Sequence, residues 1–210
     1  MSDITLSEQE TERWKAAVQR STGDLPDAQS NQIYIPPGET WSLPDQSTSF
    51  GMKQIQVDSI ERLNEIFGIP NTIFKTTPTS EIASPSASFL ERAGSGGLSH
   101  GDDKLLAKAA DNILFGDSAG FEEVAKVIDA VAFPVTLNVV AAITALLGDN
   151  ARLVVDGAPR NAPQGLYLFV LGSLSLGAGA QLTIKERVVI NLQVAKSANG
   201  EVKPQSPPSH

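Results

Sequence analysis

From Leu166 to Val194 the chain alternates apolar and other residues almost without interruption, with Leu166, Leu168, Val170, Leu174, Leu176, Leu182 and Ile184 on even positions and Val188, Ile190, Leu192 and Val194 continuing the series. Successive strand side chains point to opposite faces, so this period of two predicts half-buried β-strands. The same alternation fills Phe133 to Leu147, here on odd positions. A shorter piece, Ile33 to Leu43, is the third β stretch.

Aligned on one another, the three stretches show a repeat. An apolar residue is followed by Gly or Asn three positions later and by apolar residues six and eight positions later: Ile35, Gly38, Trp41, Leu43; then Leu147, Asn150, Leu153, Val155; then Leu176, Gly179, Leu182, Ile184. Another apolar residue stands two before each first position, at Ile33, Ala145 and Leu174. Gly and Asn tolerate a left-handed backbone, so one turn geometry used three times is expected. Such units resemble the coils of parallel β-helix proteins, which implies stacked short strands with a recurring turn glycine. A β-sandwich of hairpins with four-residue turns preserves the same facing and is the competing architecture.

Helical period appears between the first β stretch and the others. Asp58-Ser-Ile-Glu61 reads as a capped start with Asp58 at the cap, Ile60, Leu63 and Phe67 share a face, and Gly68 and Pro70 stop the helix. A second helix is expected from about Asp102 to Phe115 with Leu105, Leu106, Ala109 and Ile113 inward. A third begins near Ser118, carries Phe121, Val124, Val127, Ile128 and Val131, and closes at Pro134. Upstream, Thr5 and Ser7 each precede a glutamate by three, predicting a capped helix to Arg20 with Trp14, Ala17 and Val18 on one side. That helix either packs on the core through Trp14 or serves as a free docking arm.

The expected class is mainly β with helical decoration (α+β), a short β-solenoid-like or β-sandwich core with helices inserted between β units. Its organisation would be an N-terminal helix and linker over 1–31, one β-rich domain over 32–198 with a helical insertion at about 58–131, and a disordered tail over 199–210. Thr76 to His100, rich in Pro, Ser and Gly, reads as an exposed connection.

Composition narrows the function. A formal charge of -8 and no cysteine argue against nucleic acid and exclude disulfides, thiolate catalysis and cysteine zinc sites. The first residues lack a basic region followed by an apolar run, so no classical signal peptide is expected, and the compartment stays open between cytoplasm and non-classical export. No Asn-x-Ser/Thr sequon occurs.

Gly116-Asp-Ser-Ala-Gly120 satisfies G-x-S-x-G and resembles the nucleophile elbow of the α/β-hydrolase family, with apolar Ile113-Leu-Phe115 before it. That resemblance implies a histidine after Ser118, and the chain offers only His210 there, with His100 upstream and no His-Gly-Gly motif. Read as structure, Gly116 ends one helix and Ser118 caps the next. Gly94 to Gly101 is glycine-rich, yet Asp102 and Asp103 follow where a phosphate loop needs Lys. One isolated His100 makes no histidine metal site, and no Asp-x-Asp-x-Asp-Gly calcium loop is present. No cofactor is expected.

Two uncharged runs, Ala130 to Gly148 and Asn161 to Ile184, are long enough to span a bilayer, but Pro134, the internal glycines and the β alternation disfavour helical spanning. Three function classes follow. The first is a non-enzymatic structural or binding protein that self-assembles or binds a surface glycan; a homo-oligomer is the expected partner and a glycan the next. The second is a membrane-active β pore-forming toxin, resting on the uncharged runs. The third is a carbohydrate-active enzyme working with carboxylates such as Asp149, Asp156 and Glu186. The candidate binding rings are Tyr34, Trp41, Tyr167 and Phe169; Tyr34, Tyr167 and Phe169 lie opposite the apolar stripe and are expected either to face solvent or to lie beneath a second layer.

Overall fold

A computed structural model describes residues 5–23, 32–43, 50–68, 91–92, 106, 109–110, 122–155, 166–184 and 188–198. The chain divides into two compact units, residues 1–55 with 137–210, and residues 56–136. The fold is mixed α and β with parallel sheets that do not close into a barrel. The 199–210 tail, the 24–31 linker and most of the Thr76 to His100 connection lie outside the described residues.

Strands β1 (Gln32–Ile35), β2 (Thr40–Leu43), β3 (Lys53–Val57), β4 (Val135–Leu147), β5 (Arg152–Val155), β6 (Leu166–Leu176), β7 (Gln181–Ile184) and β8 (Val188–Ser197) form two sheets. One runs β1-β4-β6-β8 with β3 also beside β4, and the other runs β2-β5-β7. The strands flanking each predicted turn therefore do not pair with each other; they enter different sheets. Every pairing with a defined register is parallel. It places Ile35 beside Leu147 and Leu147 beside Leu176, and likewise Trp41 beside Leu153 and Leu153 beside Leu182. The repeat read from sequence is thus the spatial register of the strands. At β3 the side chains run the other way, because Gln54 Nε2 donates to Asn138 Oδ1 at 2.9 Å and Gln56 Nε2 to Thr136 Oγ1 at 3.0 Å.

The three turns share one construction. Glu39 N donates to Pro36 O, Ala151 N to Gly148 O and Ala180 N to Gly177 O, at 3.2, 3.0 and 3.1 Å. The third residue of each has positive φ, at 77° for Gly38, 57° for Asn150 and 68° for Gly179. A closing i to i+3 bond with positive φ at the third place is the type II arrangement, in which Pro37 suits the second place. Successive turns are bonded together: Gly148 N donates to Ile35 O at 2.9 Å and Gly177 N to Leu147 O at 2.8 Å. The approach is close enough that a Cβ on Gly177 would sit 2.7 Å from the Asp149 nitrogen, and one on Gly148 2.6 Å from the Pro37 nitrogen.

The uniform apolar stripe expected along β4 and β6 is corrected by the packing. In β6, Tyr167, Phe169 and Leu171 belong to the same buried cluster as Leu174, so the inward parity changes from odd to even between Leu171 and Leu174. In β4, Val140 and Ala142 give way to Ala145 and Leu147 at the equivalent place. The pair Ile143 and Gly172 is missing from the ladder there, and a Cβ on Gly172 would lie 2.5 Å from the Ile143 carbonyl oxygen. A strand that turns a corner can exchange faces without breaking its pairing, and glycine permits the close approach.

The other side of β6 is buried as well. Leu168 and Val170 are each 1% exposed. Helix α1 (Glu8–Thr22) packs on β6 and β8, and buried Trp14 donates from Nε1 to the Val170 carbonyl at 3.1 Å. Of the two capping patterns offered by the sequence, Ser7 with Glu10 is the one formed. Glu10 N donates to Ser7 Oγ at 3.3 Å while Ser7 N donates to Glu10 Oε2 at 2.7 Å. The helix extends two residues beyond Arg20 to end at left-handed Gly23.

In the second unit, α2 (Ile60–Phe67) is capped by Ser59, whose Oγ accepts from Arg62 N, so the cap lies one residue later than Asp58. Asp129 of α3 (Glu122–Ala132) supplies a further acceptor, taking the Ile60 amide proton at 2.7 Å. This leaves Asp58 outside the cap. Ile60, Leu106, Ala109 and Ile128 form a buried cluster of this unit, and all four are positions the sequence set on the apolar helix faces; Leu105, Ile113 and Phe121 lie outside the described residues.

Two stability comparisons follow. Gly38→Ala meets open space and carries only left-handed strain, about 1–2 kcal/mol. Gly177→Ala drives its Cβ into the Asp149 backbone, and a further loss of about 1–3 kcal/mol over an unstrained site is expected from overpacking. Equal denaturation midpoints for Gly177→Ala and wild type would contradict the stacked turns. At α1, the Glu10 carboxyl is held below its ordinary value first by the Ser7 side-chain bond and then by the Ser7 backbone bond. A depressed folded pKa stabilises above the ordinary glutamate range and is lost as pH falls through the folded value. The stability gap between wild type and Ser7→Ala should therefore be fully present at neutral pH and narrow in acid, read by thermal melts across pH.

Candidate functional site

The feature left over after folding is the outer edge of the first strand-turn-strand unit. Among the described residues β1 pairs as a strand only with β4, so it presents a row of main-chain groups on its other side. Tyr34 is 51% exposed; among the described residues the other large apolar side chain so placed is Ile184, on β7 at an edge of the β2-β5-β7 sheet. Tyr34 stands outward because β1 alternates exposed and buried through Gln32, Ile33, Tyr34 and Ile35. Its lateral row continues through Leu146, Ser175 and Lys196.

The four candidate rings are not brought together. Trp41 is half-buried against the interior cluster, its ring edge-to-face with Phe50 at 5.6 Å and 88°, and its Nε1 donates to Glu39 Oε2 at 2.8 Å. The pair packs on the interior beside β2, and such aromatic pairs add about 0.5–1.5 kcal/mol beyond area burial. Tyr167 and Phe169 are 1% and 2% exposed and lie inside the cluster beside Val140 and Leu171. The expectation that they could face solvent is corrected, since the parity change turns the odd face of β6 inward. A flat platform of several rings for a sugar is absent among the described residues; Tyr34 is the ring that remains accessible.

Of the three candidate carboxylates only Asp149 lies among the described residues. Asp149 is exposed on the second turn, where its Oδ1 accepts from the Ala178 amide at 2.9 Å, which is a turn-to-turn contact. Asp156, Glu186, both histidines and the Gly116 to Gly120 motif lie outside the described residues. Among the described residues no group of three or more His, Asp or Glu is placed to hold a metal ion, and no helix is long and apolar enough to cross a membrane. The two uncharged runs include β4 and β6, which pair in parallel along their length. What the described surface offers is the outer edge of β1, with Tyr34 exposed beside it.

No protein-family model, no curated protein and no solved structure matches this chain.

The two kinds of aromatic position are separable by mutation. Tyr34→Ser should leave the denaturation midpoint within about 0.5 kcal/mol of wild type, as exposed substitutions do. Phe169→Ala removes a ring from the interior, with an expected loss of about 3–5 kcal/mol. Comparable small effects at both would mean that Phe169 is not in the core.

Proposed function

We propose that this chain is a non-enzymatic structural protein, built as a short parallel β-solenoid, that associates with a second copy through the outer edge of β1 in its first coil. In this reading each strand-turn-strand unit is one coil. The corner at Ile143 and Gly172 splits the larger sheet into two faces, and the smaller sheet is the third. Opposed turns at fixed register, parallel pairing and an apolar interior support the solenoid over a hairpin sandwich.

The observation that carries association is the outer edge of β1, which among the described residues pairs only with β4 and carries exposed Tyr34. Unpaired N–H and C=O groups at a sheet edge template another strand unless blunted by charge or proline. Gln32 and Tyr34, the exposed positions of β1, carry no charge. Two copies meeting edge to edge by a two-fold axis satisfy both surfaces at once.

Sedimentation equilibrium over a wide concentration range tests this. A reversible dimer is expected for wild type, weakened towards monomer by Tyr34→Lys, which adds a charge beside the edge without touching the core. A wild-type monomer at every concentration, or a dimer indifferent to Tyr34→Lys, would overturn the proposal.

A further inference from the structure

We draw no further inference here: the strongest candidate, the surface patch of apolar side chains left partly exposed along the last strands, Leu176 of β6, Leu182 and Ile184 of β7 and Ile190 of β8, carries nothing because nothing in the structure shows what covers it.

Discussion

One residue in each turn must hold a left-handed backbone, and the parallel arrangement depends on it. Gly38, Asn150 and Gly179 meet that demand with positive φ, and the chain then leaves one sheet and enters the other instead of folding back as a hairpin. Because the turns have equal length, they stack, and their amides bond from one unit to the next. Stacking in turn demands close backbone contact, which is why Gly148 and Gly177 stand at the first turn position. The parallel register of seven strands is a consequence of that small repeated device.

A second constraint comes from burying both sides of the larger sheet. β6 has Tyr167, Phe169 and Leu171 against the interior and Leu168 and Val170 on the opposite side, where Trp14 of α1 bonds to the strand. Parallel strands covered on both faces read as nearly continuous apolar runs. The corner at Gly172 then exchanges inside for outside, so the second half of the strand returns to inward even positions at Leu174.

Much of this was legible in the residues. The repeat predicted one turn geometry used three times, with Gly or Asn at the left-handed place, because offset and conformational preference are both encoded locally; it left stacked coils and a hairpin sandwich open, and the parallel register of β1, β4 and β6 and of β2, β5 and β7 decides between the pairings. The helix beginning at Ser7 was legible for the same reason, through its capping box. The corner was not, since alternation of apolar residues continues straight through it and conceals the change of face. A signal existed in Leu166 to Leu171, six consecutive apolar or aromatic residues, which a strand with one wet face would not have. Read as one-sided, that stretch sets Tyr167 and Phe169 opposite the interior, in solvent or beneath a second layer, whereas the corner turns them into the interior cluster; Tyr34 lies on a plainly alternating strand and is exposed. Ser59 rather than Asp58 caps α2 because Asp129, distant in sequence, takes the neighbouring amide, which no local pattern displays.

The functional reading depends on the parallel pairing of the strands, since that pairing leaves the outer edge of β1 open among the described residues. The most direct measurement is a set of inter-strand nuclear Overhauser contacts in isotopically labelled protein. The account predicts parallel-strand contacts from Leu153 to both Trp41 and Leu182, and from Leu147 to Leu176, with no backbone contacts between β6 and β7. Antiparallel contacts across the Gly177 to Ala180 turn, pairing β6 with β7 as a hairpin, would contradict it.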